Sequence, residues 1–177
     1  MHLHPDVKVD ASASIYYNPV MPKPSPHAVS AWARLVRVQQ ALLAAVEADL
    51  KSAGFPPLAW YDALLELSRA PDGKLRPFDL ERAMLLPQYG MSRLIDRLVR
   101  AGFATREACP VDGRGQVVAI TVAGRTLQKK MWNTYAAAIE RHVGTKISAT
   151  EARQLDEVLH KLVQCPTADL VASTRER

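Results

Sequence analysis

The sequence predicts a mainly α-helical chain with one small β-hairpin, and three observations lead there. Apolar residues recur at spacings of three, four and seven along most of its 177 residues, the period of helices with one buried side. Between Pro77 and Thr121 two short helical stretches are followed by two strand-like stretches, joined by a loop that holds Pro110, Gly113 and Gly115. Charge is concentrated in the same region. Arg69–Lys130 holds 12 Lys/Arg against 6 Asp/Glu, while the rest of the chain has 11 against 12, so the whole excess of +5 sits there.

The bulk numbers narrow the class. At 48% hydrophobic the chain has ample material for a core, and no apolar run approaches the roughly 18 residues of a membrane span. The amino terminus, MHLHPDVKVD, lacks the basic-then-apolar order of a secretory signal, so the expected compartment is the cytoplasm and no membrane partner is expected. Cys109 and Cys165 lie far apart, without a CxxC or a nearby His pair, and imply neither a disulfide framework nor a metal site. No GxSxG, Walker loop, HExxH or apolar carboxylate pair is present, so neither an enzyme nor a cofactor is expected. His2 and His4 offer weak metal ligands in the arm at most.

The elements follow in order. Residues 1–25 hold Pro5, Pro19, Pro22 and Pro24 without periodicity and read as an irregular arm. Ser25 is placed to cap a helix that opens on Pro26, where the missing N–H does no harm, and runs to about Ser52. Trp32, Val36, Leu43, Val46 and Leu50 form its stripe, widened by Leu35, Val38 and Leu42 beyond what one small domain covers, so it asks for a partner surface. Gly54-Phe55-Pro56-Pro57 ends it. A second helix covers Leu58–Arg69, a turn follows at Ala70–Gly73, and Lys74-Leu75-Arg76 forms a very short strand able to pair with the hairpin. A third helix spans residues 77–85. A fourth begins near Pro87 and stops at Ala101-Gly102, with Met91, Leu94, Ile95, Leu98 and Val99 inward and Gln88, Ser92, Arg93, Asp96, Arg97 and Arg100 outward. Strands follow at about Phe103–Ala108 and Gln116–Thr121. Thr121 caps a fifth helix to about Val143, and the capping box Ser148–Glu151 opens a sixth to about Gln164, lined by Leu155, Val158, Leu159, Leu162 and Val163.

This order is that of a winged helix-turn-helix, a DNA-reading core, here flanked by long helices. Three signatures sharpen the reading: Ser92–Leu98 followed by Ala101-Gly102-Phe103, the loop Asp112-Gly113-Arg114, and Ile120–Gly124. Together and in this order they make residues 29–164 resemble the MarR family of bacterial transcriptional regulators. The resemblance implies a homodimer joined through its first, fifth and sixth helices, with the fourth helix in the major groove and the wing in the minor groove. It also implies a repressor whose grip weakens when a small aromatic or anionic effector binds. The expected division is an arm at 1–25, dimerisation helices at 26–56 and 122–165, a DNA-binding domain at 57–121 and a tail at 166–177. The long proline-rich arm departs from the family minimum, and the first helix lacks the cysteine that the family's redox sensors hold there.

Candidate contacts to double-stranded DNA are Gln88, Tyr89, Ser92, Arg93 and Arg97 on the fourth helix and Asp112 and Arg114 on the wing. The amino-terminal end of a recognition helix points into the groove, and the fork of Arg93 suits guanine O6 and N7. The competing reading is that Arg93 and Arg97 flank Asp96 on a solvated face. Arg114 suits a narrow minor groove, against an ordinary exposed turn residue, and Asp112 either steadies it or the turn. Trp32, Trp60, Tyr61, Trp132 and Tyr135 lie on helices that would wall an effector pocket, although aromatic residues on a helical stripe more often serve the core. His27, Arg34 and His142 are candidates for an anionic ligand. Cys109, near Arg106 and Arg114, is a candidate redox switch, with a tolerated exposed thiol as the simpler alternative. The rival function is a protein-interaction module that has given up DNA, against which the concentrated positive charge and Arg114 both speak.

Overall fold

The computed structural model describes residues 23–85, 90–108 and 115–163. Residues up to Arg37 form one compact unit and those from Val38 onward another. The helices are α1 (Pro26–Ser52), α2 (Leu58–Arg69), α3 (Pro77–Ala83), α4 (Met91–Arg100), α5 (Val122–His142) and α6 (Ala149–Val163). The strands are β1 (Lys74–Leu75), β2 (Ala104–Ala108) and β3 (Gln116–Ile120). The small sheet is antiparallel in the order β1-β3-β2, with Lys74 opposite Ala119 and Ala104 opposite Ile120.

Local chemistry sets most boundaries. The Ser25 hydroxyl accepts from Ala28 N–H at 3.1 Å at the start of α1. At its end Gly54, at φ 76°, supplies the left-handed residue of a Schellman stop: Gly54 N–H donates to Lys51 O and Phe55 N–H to Leu50 O. Gly102, at φ 77°, repeats the device after α4, with Gly102 N–H on Val99 O and Phe103 N–H on Leu98 O. Thr121 caps α5 by accepting from Gly124 N–H at 3.0 Å. At α6, Glu151 accepts from the Ser148 N–H and hydroxyl, both at 2.8 Å, which completes the capping box.

One boundary differs from expectation. The helix α4 begins at Met91, later than Pro87, because Gly90 sits at φ 92° and ψ 49°. A left-handed residue cannot belong to a right-handed helix, so α4 starts only after it.

Two apolar clusters hold the second unit together. Ala63, Leu64 and Leu67 of α2 pack with Leu80, Met84, Met91, Leu94, Ile95, Leu98, Ala104 and Val118 around the helix-turn-helix and sheet. Val46, Leu50, Leu58, Tyr61, Met131 and Ala138 form a second cluster where α1, α2 and α5 meet. Leu127 touches both. None of the described helices is long and apolar enough to cross a membrane.

Candidate nucleic-acid interface

The helix α4 divides cleanly between core and solvent. Met91, Leu94, Ile95 and Leu98 are buried, whereas Ser92, Arg93, Asp96, Arg97 and Arg100 are exposed. Hence Ser92 and Arg93 stand in the first turn and Arg97 one turn later, all facing water. Gln88, Tyr89, Asp112, Arg114 and Cys109 lie outside the described residues.

The structure decides what Asp96 does. Its carboxylate accepts from Arg106 of β2 at 2.6 Å, and the other arm of Arg106 donates to Gln116 of β3 at 3.3 Å. Asp96 therefore ties α4 to the base of the hairpin instead of holding Arg93 or Arg97. Those two arginines keep their guanidinium groups available at the surface, and the helix and hairpin are held in one orientation. Sequence reasoning treated Arg106 only as a neighbour of Cys109, because a contact between a helix and a strand ten positions away has no local signature. A second tie crosses the sheet: Lys74 of β1 reaches Glu107 of β2 at 2.6 Å. The Glu107 hydrogen bond, followed by its charge, raises the Lys74 ammonium above its ordinary value, so the lysine is charged throughout the neutral range.

The aromatic candidates separate into different surroundings. Tyr61 stacks on Trp132 with centroids 6.1 Å apart and 18° between planes, and Tyr135 meets both edge-on at 5.2 and 5.9 Å. These three rings wall an open cleft of about 610 Å³, together with Asp62, Glu66, Arg69 and Gln128. Trp60 does not join them. One residue along α2 turns it by about 100°, onto the winged-helix core, where it meets Phe103 edge-on at 5.9 Å. Trp32 is a surface residue of the first unit, 68% exposed. His142, a candidate for an anion, instead contacts the Asp49 carboxylate at 2.9 Å, beside Arg141 at 3.0 Å.

The comparisons now bear on this arrangement. A sequence model of the MarR family matches residues 53–115, which span α2 to the tip of the hairpin. The chain belongs to the MarR family. No curated protein matches the chain significantly. Its fold is similar to that of a MarR family transcriptional regulator from Streptomyces coelicolor solved in complex with DNA (TM-score 0.73, 22% identity, covering 86% of this chain and 98% of that one). AbsC, a MarR family regulator from the same organism, gives a TM-score of 0.70 at 24% identity over 81% of this chain and 97% of its own. Bordetella bronchiseptica BpsR, whose DNA binding is regulated by 6-hydroxynicotinic acid, gives 0.66 at 20% identity over 82% and 99%. In MarR terms α3 and α4 are the helix-turn-helix, α4 is the recognition helix and the β2–β3 hairpin is the wing.

Proposed function

We propose that this MarR-family chain is a sequence-specific DNA-binding transcriptional regulator: a homodimer on a pseudo-palindromic operator, and a repressor released by a small molecule. The observation that carries the reading is the surface of α4. Ser92, Arg93 and Arg97 face water on a helix tied through Asp96 and Arg106 to the wing base, within the segment that holds all of the excess positive charge. A planar guanidinium near the start of α4 suits paired acceptance by guanine, while Ser92 suits a phosphate. Arg97, Gln88 and Tyr89 extend the same contact surface along the groove, and Asp112 and Arg114 serve the minor groove at the wing tip. The DNA-bound structural relative supports this orientation.

The homodimer rests on uncovered apolar surface. Val158 and Leu162 of α6 are 52% and 61% exposed, and Trp32, Leu35 and Val38 of α1 are exposed as well. A second copy offers the same stripes in return, as a two-fold interface requires. In this reading residues 26–56 and 122–165 join the protomers, and two recognition helices meet successive major grooves about 34 Å apart. Ligand release is supported by the cleft between α2 and α5 and by the ligand-regulated relative.

The test is fluorescence anisotropy on DNA flanking the gene for this chain, against a scrambled duplex, from about 50 to 200 mM salt. Preference for the native DNA that persists at the higher salt is the expected result, and Arg93→Ala should reduce that preference by about 1–3 kcal/mol. Equal, salt-sensitive binding to both duplexes would reduce the surface to a nonspecific one. No binding at any salt would favour the protein-interaction module.

A further inference from the structure

The cleft between α2 and α5 carries a charge pattern that bears on its ligand. Its floor is aromatic: Tyr61, Trp132 and Tyr135 contribute ring faces and edges. The charged groups along its wall are Asp62, Glu66 and Arg69. The guanidinium of Arg69 is held by Glu66 at 3.0 Å, one turn away on the same helix, so these two charges cancel. Asp62 remains as the excess charge of the wall, and it is only 5% exposed, where a charge is poorly screened.

The cleft also has an apolar extension. A second groove of about 250 Å³ adjoins it, and Leu58, Leu85, Tyr135 and Ile139 line both. Leu42, Leu43 and Val46 of α1 continue the apolar wall, and the one basic side chain at that end is His142, engaged by Asp49 at 2.9 Å. Both basic groups around the combined cavity are therefore committed to carboxylates of the protein itself. A carboxylate ligand would meet a buried negative charge and no uncommitted cation. A positively charged ligand would meet that charge favourably and place its cation against electron-rich rings.

We propose that this cavity takes an elongated aromatic amine, its ammonium toward Asp62 and the three rings, its apolar body along Leu43, Val46 and Leu58, and that it discriminates against the matching carboxylate. The state of the two phenols agrees with this. Burial first, then the neighbouring Tyr61 and Asp62, pushes the Tyr135 hydroxyl upward. Burial likewise raises Tyr61, against the hydrogen bond with Gln128. Both phenols stay neutral at physiological pH, and the negative potential of Asp62 reaches each of them. The regulatory consequence, release from DNA, rests on the function proposed above, whereas the binding preference does not.

The experiment is calorimetric titration of the full chain with 4-phenylbutylamine, 4-phenylbutanol and 4-phenylbutyrate, three probes that differ only in the charge of one end. The amine is expected to bind about tenfold or more tighter than the acid, with the alcohol between. In Asp62→Asn the amine and alcohol should converge. Because Asp62 is buried and that variant may lose its fold, Trp132→Ala, at a half-exposed position, provides the second arm: it should weaken all three probes while the circular dichroism stays unchanged. Tighter or equal binding of the acid overturns the proposal. So does an amine preference untouched by either folded variant, or no binding by any probe at millimolar concentration. Anisotropy on DNA with the same preparation separates the two readings. Intact DNA binding with the wrong probe order sinks only the ligand class, and the right order without DNA binding sinks only the regulator.

Discussion

The winged-helix core and the carboxy-terminal helix treat the same residue types in opposite ways. In the core, Leu64, Leu67, Leu80, Ile95, Leu98 and Val118 are completely buried by α2, α3, α4 and the sheet. Along α6, Leu155, Val158, Leu162 and Val163 stand exposed, and no residue of that helix is buried. The core is thus complete within one chain, since its three helices and sheet converge on a single centre. The helix α6 has an equally good stripe but nothing in the chain that covers it. The difference teaches that an amphipathic helix specifies that its face be covered, not what covers it.

The largest expected effect tests that contrast directly. Ile95→Ala should destabilise by about 2–5 kcal/mol, since it opens a cavity in a closed core, and the loss should be the same at every protein concentration in urea unfolding. Leu162→Ala deletes similar bulk from an exposed site. In a dimer its cost should appear only as a concentration-dependent shift in the midpoint and in sedimentation. A concentration-independent loss of similar size at Leu162 would mean that α6 packs within its own chain.

Gly124→Ala comes next. A methyl group there would fall on the Phe103 carbonyl oxygen, with Ile120 Cγ1 at 2.9 Å and Leu64 Cδ2 at 3.1 Å. The obstacle is backbone, which cannot swing aside, so a loss of about 1–3 kcal/mol is expected in thermal unfolding. An unchanged Tm would mean that the first turn of α5 can move away from the core, and the contrast between a rigid core and adaptable helices would weaken.

A smaller effect is expected at the tie between recognition helix and wing. The Asp96–Arg106 pair is partly exposed, so Asp96→Ala should cost no more than about 1 kcal/mol of stability. Its effect on operator affinity should exceed its effect on stability, because an unanchored wing pays ordering entropy on binding. Equal changes in both would reduce the pair to a stability element.

Acidification should have the smallest effect. The Ser148 N–H and then its hydroxyl hold the Glu151 carboxyl below its ordinary value. A depressed carboxylate contributes stability above its unfolded pKa and loses it as pH falls through the folded one. The start of α6 should therefore fray only in acid, below the usual carboxylate range, seen as a slight loss of helical circular dichroism while the winged-helix core stays protected in hydrogen exchange.

Legibility in the sequence followed the range of the interaction. Ser25, Thr121, Ser148 and Glu151 announced helix starts, and Gly54 and Gly102 announced stops, because caps satisfy backbone groups within about four residues. The stripe on α4 was legible for the same reason: a period of 3.6 is a local property. Gly90 was the exception among the boundaries. A proline a few residues earlier offered an equally good start, and only the backbone conformation decided between them. The candidate site was legible in part. Ser92, Arg93 and Arg97 followed from the helix they sit on, whereas the partner of Asp96 did not, since nothing local distinguishes Arg106 from the arginines on α4.

By itself, then, the sequence determined the six helices, the short strands, the caps between them and the basic segment, all of which are set by side-chain period, backbone hydrogen bonding and charge within a few residues. Only the tertiary structure decided that Asp96 reaches across to Arg106, that Tyr61 joins Trp132 and Tyr135 while adjacent Trp60 turns to Phe103, and that the stripe of α6 is left uncovered. Those outcomes depend on which surfaces meet in space, and residues distant in sequence acquire a common environment only when the helices have packed.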